Sequence, residues 1–209
     1  MTRVLIVDDE RNILKAYEAD IRRAGGRYEL ADALTHAADA ELACSRGDVD
    51  LVILDINTAR GESGIETAAK LRKSWPDLKI IIATSYADPY APAQAREAGA
   101  DSFWYKDFSP VDLLEVMDAA MAGNGYWPEE PPVVELGLVP SSALTDAEVE
   151  VLHALVECVS IRRMAEKLFI EETTVKSHLK NICNKVGCSS KTELLILLME
   201  AKFVLPPRR

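Results

Sequence analysis

Val4-Leu5-Ile6-Val7-Asp8-Asp9 and Leu51-Val52-Ile53-Leu54-Asp55 are two short apolar runs without a polar break, each ending in acid. Runs of this kind, rich in β-branched residues, suit strands covered on both faces, as in a parallel sheet. Working outward from them, apolar runs fall at Arg3–Val7, Tyr28–Ala31, Leu51–Leu54, Lys79–Thr84 and Ser102–Tyr105. Helical patterns lie between and after them, at Asn12–Ala24, Ala37–Ser45, Ile65–Ser74, Ala93–Ala98 and Pro110–Ala122. Ser109-Pro110 reads as an N-cap followed by proline at the first helical position.

Five strands alternating with five helices predict an α/β unit, a (βα)5 doubly wound parallel sheet of flavodoxin-like order 2-1-3-4-5, over residues 1–122. Gly123 and Gly125 close the last helix, and Pro128, Pro131, Pro132 and Pro140 follow, so residues 123–140 read as a semi-rigid linker. Residues 141–209 show no strand pattern. Thr145-x-x-Glu148 is a capping box opening a helix that runs to about Cys158. Helical patterns follow at Ile161–Leu168, Glu172–Val186 (stopped by Gly187) and Lys191–Phe203. The expectation is a second, small all-α domain of four helices.

The whole chain has 209 residues and a formal charge of −10, which taken alone argues against a nucleic-acid binder. The charge is unevenly spread: −11 over residues 1–140 and +1 over 141–209. Such asymmetry suggests two domains with different partners. The longest apolar run, near Leu194–Met199, is far short of a membrane span, and acids appear before any signal-peptide core forms. A cytoplasmic protein is expected, without a membrane partner. The four cysteines form no C-x-x-C pair. Cys183, Cys188 and His178 could be imagined as metal ligands, but Cys158 and Cys183 fall on apolar faces of the expected helices and read better as small hydrophobes, in a reducing compartment.

Open α/β sheets bind ligands at the carboxyl ends of their strands, where strand order reverses. Asp8 and Asp9 end the first strand and Asp55 the third, and these strands are neighbours in the 2-1-3-4-5 order. Clustered carboxylates repel unless a cation neutralises them, and a hard oxygen-ligated ion such as Mg²⁺ suits them. Thr84 ends the fourth strand, and Lys106 follows the fifth. A carboxylate, a divalent cation, a hydroxyl and an ammonium describe a site for phosphoryl transfer to an aspartate. Each residue alone is more often a turn, a cap or a solvated charge; the combination carries the signal.

These residues, in Val4–Glu10, Leu51–Asp55, Ile81–Thr84 and Phe103–Lys106, resemble the receiver domain of two-component response regulators over about residues 1–122. The resemblance implies that Asp55 accepts a phosphoryl group from the phosphohistidine of a sensor histidine kinase. It implies that Asp9, Asp55 and the backbone carbonyl of Asn57 hold Mg²⁺, with Asp8 acting through a water. Lys106 and Thr84 would bind phosphoryl oxygens, and Phe103 matches the switch aromatic. There are two departures. Receivers usually follow the aspartate with Met-Pro and place a glycine eight residues on. Here Ile56-Asn57 follows, Gly64 is nine residues on, and the longer loop carries Arg60 and Glu62. Pro89 and Pro92 should delay or shorten the fourth helix.

In the C-terminal part, Val175, Leu179, Ile182 and Val186 form one apolar stripe, opposite Lys176, Ser177 and Lys180. Seven Lys/Arg against three Glu between Ser160 and Lys191 give a local surplus of four positive charges, suited to phosphates. On charge alone this is an ordinary solvated face. The sequence pattern around it, from Leu144-Thr145 through Thr174-Val175-Lys176-Ser177-His178-Leu179-Lys180 to Lys191-Thr192-Glu193, resembles the LuxR-type helix-turn-helix over about residues 141–204. The resemblance implies that Lys176, Ser177 and Lys180 face the major groove of double-stranded DNA, with Arg162, Arg163, Thr173 and Lys191 near phosphates. The usual Gly-x-Ser-Asn before the first of these helices is here Cys158-Val159-Ser160-Ile161. Surplus apolar residues of the last helix, such as Leu197 or Phe203, would serve a homodimer.

Together these readings predict a NarL/FixJ-type response regulator, a non-enzymatic transcription factor. A phosphorylation-independent DNA-binding regulator, its receiver serving only as a dimerisation or ligand-sensing module, is the alternative. An aspartate-nucleophile phosphatase wants a second Asp two residues on as general acid, and Asn57 cannot deliver a proton.

Overall fold

The computed structural model describes residues 1–58, 61, 63–158 and 160–204. The chain divides into two compact units, one containing residues 1–85 and 89–130 and the other containing residues 86–88 and those from Pro131 onward.

In the first unit β1 (Thr2–Val7), α1 (Arg11–Arg23), β2 (Tyr28–Leu34), α2 (Ala40–Arg46), β3 (Leu51–Asp55), α3 (Gly64–Ser74), β4 (Lys79–Thr84), α4 (Ala91–Glu97), β5 (Ser102–Tyr105) and α5 (Leu113–Met121) alternate. The sheet is parallel, in the order β2-β1-β3-β4-β5. The apolar runs are buried on both faces as their composition demands: Val4–Val7 and Leu51–Leu54 are wholly inaccessible. Alternate residues divide between two layers. Val4, Ile6, Leu51, Ile53, Ile81 and Ala83 pack with Leu14, Tyr17 and Ile21 of α1 and with Leu113, Val116 and Met117 of α5. The opposite face is covered by α2, α3 and α4. Burying each such side chain contributes roughly 1.5–3 kcal/mol, so the central strands are the firmest support a site in this unit can have.

One helix of this unit starts later than expected, and another is short as expected. α5 begins at Leu113, with Asp112 as its N-cap in a reciprocal capping box with Glu115, and not at Ser109-Pro110. The Ser109 hydroxyl is engaged with the Tyr126 hydroxyl at 2.9 Å instead. α4 is only seven residues, with Pro92 in its first turn, in line with the shortening expected from the prolines.

The second unit contains α6 (Asp146–Glu157), α7 (Ile161–Leu168), α8 (Glu172–Val186) and α9 (Lys191–Glu200). The Thr145/Glu148 capping box is present as read. Part of the expected linker is structured: β6 (Glu135–Leu136) and β7 (Val139–Pro140) form an antiparallel hairpin. Its turn docks on the end of α8, where the Leu138 amide donates to the Val186 carbonyl at 3.0 Å. Gly137 allows this approach, since a Cβ there would stand 2.1 Å from that carbonyl oxygen. α9 ends at Glu200, earlier than expected. The backbone turns at Lys202 (φ 48°), and Phe203 is buried. Phe203 is therefore no surplus apolar residue; the exposed ones on α9 are Ile196 and Met199.

Candidate functional site

The carboxyl ends of β1, β3 and β4 bring Asp8, Asp55 and Thr84 together as three buried polar residues at the edge of an apolar sheet. Lys106, directly after β5, completes the group. Its backbone N–H donates to the Thr84 carbonyl at 2.8 Å, which fixes where its side chain starts. The Lys106 ammonium donates to Asp55 Oδ1 at 2.6 Å and to Asp8 Oδ2. The other carboxylate oxygens are held by backbone: Asp8 Oδ1 accepts from the Glu10 N–H and Asp55 Oδ2 from the Asn57 N–H, each at 2.9 Å.

Burial pushes the Asp55 carboxyl up to about 7, with Asp8 adding to the rise and Lys106 opposing it. For Lys106, burial works against the charge, but Asp55 and Asp8 outweigh it and raise its pKa. Asp9 stands exposed at the rim, its carboxyl raised by partial burial and by Asp8. The expected gathering of three carboxylates thus takes the form of two around an ammonium with a third outside. Among the described residues no three His, Cys, Asp or Glu side chains already form a metal cage. The available donors, Asp8, Asp9, Asp55 and the Asn57 carbonyl, are all oxygen, and three carboxylates against one ammonium leave negative charge in excess. This donor set fits a hard divalent cation. The buried Asn57 Nδ2 has no hydrogen-bond partner, so polar capacity remains beside Asp55.

The altered spacing of the glycine leaves its packing role visible. A Cβ on Gly64 would stand 2.0 Å from the Asp55 carbonyl oxygen, so only glycine lets α3 begin this close to β3. The Gly64 N–H donates to the Ile56 carbonyl at 3.0 Å, and Ser63 caps the helix. Arg60 and Glu62, noted in the longer loop, lie outside the described residues. Phe103 is fully buried, edge-on to Tyr105 at 4.9 Å and stacked with Trp127 at 6.5 Å.

In the second unit, α7 is capped by Ser160 and ends at Phe169 in the left-handed region, after which α8 begins. Met164 and Ala165 of α7 and Val175, Leu179, Ile182 and Val186 of α8 are buried. The opposite face exposes Thr173, Lys176, Ser177 and Lys180. Ser177 spends its hydroxyl proton on the Thr173 carbonyl at 2.9 Å, leaving its oxygen as an acceptor. Arg163 is exposed, whereas Arg162 is paired along the helix with Glu166 at 2.9 Å. Lys191, at the start of α9, is half-buried. Asn181 and Asn184 continue the exposed stripe four residues beyond Ser177 and Lys180. Being uncharged, they carry no charge signal in the sequence, although helical spacing places them on this face. Lys185 donates to Glu148 Oε2 at 2.7 Å, tying α8 to the capping box of α6.

The chain matches two family models: "Response regulator receiver domain" over residues 4–118 and "Bacterial regulatory proteins, luxR family" over residues 142–198. It is 31% identical to the nitrate/nitrite response regulator protein NarP of Escherichia coli (strain K12), over 96% of this chain and 95% of that one. A solved structure of the response regulator TrrA from Thermotoga maritima, in complex with Mg²⁺-BeF, aligns with TM-score 0.50 and 36% identity. That match covers 57% of this chain and 99% of TrrA. In overall fold the chain is similar to RcsB from Salmonella enterica serovar Typhimurium bound to promoter DNA in the presence of phosphomimetic BeF3⁻. There the TM-score is 0.61 at 20% identity, over 96% of this chain and 98% of that one.

Proposed function

This chain belongs to the NarL/FixJ family of two-component response regulators, phosphorylation-controlled regulators of transcription, and we propose that the controlling event is phosphorylation of Asp55. The donor is the phosphohistidine of a sensor histidine kinase. The response is homodimerisation and sequence-specific binding of double-stranded DNA, in the cytoplasm and without turnover of a small-molecule substrate. The observation that carries this reading is the Lys106 ammonium shared between the Asp55 and Asp8 carboxylates at the carboxyl ends of the strands.

An Asp55 carboxylate oxygen attacks phosphorus, the P–N bond to the donor imidazole breaks, and an acyl phosphate forms. The nucleophile must be ionised, which burial opposes, so Lys106 has to hold the charge before transfer and meet a phosphoryl oxygen after it. Asp9, Asp55 and the Asn57 carbonyl, with Asp8 acting through a water, would hold a Mg²⁺ ion, which would supply positive charge against the carboxylates and the incoming phosphoryl group. The Thr84 hydroxyl takes another phosphoryl oxygen and draws its loop inward, and buried Phe103 is the aromatic that follows this movement. Phosphorylation then shifts a pre-existing equilibrium rather than creating a new state. On the DNA side, Lys176, Ser177 and Lys180 enter the major groove, and Arg162, Arg163, Thr173 and Lys191 lie near phosphates.

The test selects bound DNA from a random library with the full chain, with and without beryllofluoride and Mg²⁺, and repeats it with Asp55→Asn. Tighter binding of one enriched sequence on beryllofluoride treatment, abolished in Asp55→Asn, is expected. Equal binding under all conditions would remove the phosphoswitch.

A further inference from the structure

Cys183 and Cys188 meet at the end of α8 through the geometry of the helix stop. The Cys183 carbonyl accepts from the Gly187 N–H at 2.9 Å and from the Cys188 N–H at 3.0 Å. Gly187 takes φ 80°, the left-handed conformation that reverses the chain. A stop of this form folds the residue after the glycine back against the side chain three positions before the helix's last residue. Here both positions are cysteine, and the Cys183 thiol is among the causes that raise the Cys188 pKa. Cys183 is half-exposed and donates from Sγ to the Ser190 carbonyl at 3.9 Å, whereas Cys188 is buried. Both thiols are free. Neither belongs to the phosphotransfer residues or to the exposed basic face of α8.

We propose that Cys183 and Cys188 form a dithiol modification site, which low-molecular-weight disulfides oxidise to an intramolecular disulfide closing the C-terminal end of α8. The Cys183 thiolate attacks one sulfur of the reagent RS–SR, forming a mixed disulfide and releasing one RSH. The Cys188 sulfur then displaces the second RS group, which leaves as RSH. The two thiol protons end on the two RSH molecules, and the two electrons given up by the protein sulfurs reduce RS–SR. Entry at Cys183 follows from exposure. The second step is slow, because burial, the adjoining Cys183 thiol and Glu193 push the Cys188 thiol up to about 12. The backbone stop compensates by holding the two residues together, so the mixed disulfide keeps its resolving partner on the same turn. The remaining cysteines, Cys44 and Cys158, lie on α2 and at the end of α6 without such a neighbour in the sequence.

The full chain is incubated with glutathione disulfide, free thiols are alkylated, and the protein is cut with trypsin. Cleavage after Lys180, Lys185 and Lys191 separates Cys183 (residues 181–185) from Cys188 (residues 186–191). The expected result is a disulfide-linked pair of these two peptides, lost on treatment with dithiothreitol. Cys188→Ala should instead leave glutathione attached at Cys183, which keeps the test open to a variant that spares the exposed sulfur. Two separate alkylated peptides after prolonged incubation, or links only to Cys44 or Cys158, would overturn the proposal.

Discussion

Gly64 packs against Asp55 so closely that a single added methyl would fall 2.0 Å from the Asp55 carbonyl oxygen. The contact joins the start of α3 to the end of β3 on backbone alone, and its distance is incompatible with any side chain. Gly64→Ala must therefore shift either the helix or the strand end that carries Asp55. Overpacking of this kind costs about 1–3 kcal/mol. Urea unfolding of Gly64→Ala should show that loss, and beryllofluoride binding, read by Trp fluorescence, should weaken with it. Wild-type stability in the variant would mean that the contact relaxes freely.

The Lys106 ammonium is almost fully enclosed by the two carboxylates it joins. Removing it leaves Asp8 and Asp55 facing each other with no buried counter-charge. Breaking one side of such a buried arrangement costs roughly 3–5 kcal/mol. Lys106→Met keeps the aliphatic length and isolates the charge. Its denaturation midpoint should fall in the absence of divalent cation and recover in part on adding Mg²⁺, because the cation replaces the missing positive charge. No response of the variant to Mg²⁺ would count against the carboxylates as a cation site.

The strand order and the Asp8, Asp55, Thr84 and Lys106 grouping were legible because they depend on local apolar runs and on where those runs end. The Thr145/Glu148 box was legible for the same reason, its partners being three residues apart. The start of α5 is not legible locally because two capping signals compete within four residues, and tertiary contact with Tyr126 takes Ser109 out of the competition. The β6–β7 hairpin is invisible in the sequence because two-residue strands beside proline have no period to detect, and its support comes from Val186, far along the chain. The Glu148–Lys185 tie is equally non-local. The burial of Phe203 depends on one left-handed residue, Lys202, that sequence gave no reason to expect.

Glu148 offers a pH test in the second unit. Burial alone would raise its carboxyl, but the Lys185 ammonium and the Thr145 N–H and hydroxyl more than offset it, so its pKa is lowered below 4.5. A carboxyl lowered by folding contributes stability that is present above its unfolded pKa and lost as pH falls through the folded one. Glu148→Gln keeps the capping geometry without the charge. At pH 7 the variant should be less stable by up to about 1 kcal/mol, the scale of a cap or a partly exposed charge pair. Between pH 5 and pH 3 (about the range in which carboxyls titrate) the two proteins should converge in thermal melts. A constant difference across that range would show that the charge contributes nothing.

The two parts of the chain should oppose each other on DNA. Because the β6–β7 hairpin docks on α8, a fragment retaining it must begin at Pro131 rather than at 141, and residues 131–209 carry ten basic and ten acidic side chains. Residues 1–130 therefore hold the whole surplus of ten negative charges. Non-specific DNA binding is mainly a phosphate interaction and depends steeply on salt. At low salt the fragment should bind random duplex DNA more tightly than the full chain, and the gap should shrink as salt screens the acidic unit. Lys180→Ala in the fragment should weaken specific binding by ~1–3 kcal/mol if the side chain reads a base. If it meets only phosphate, the slope of log affinity against log salt should fall by about 1. Filter binding across a salt series separates these outcomes. Equal affinity of fragment and full chain at the lowest salt would show that the charge asymmetry plays no part in restraining DNA binding.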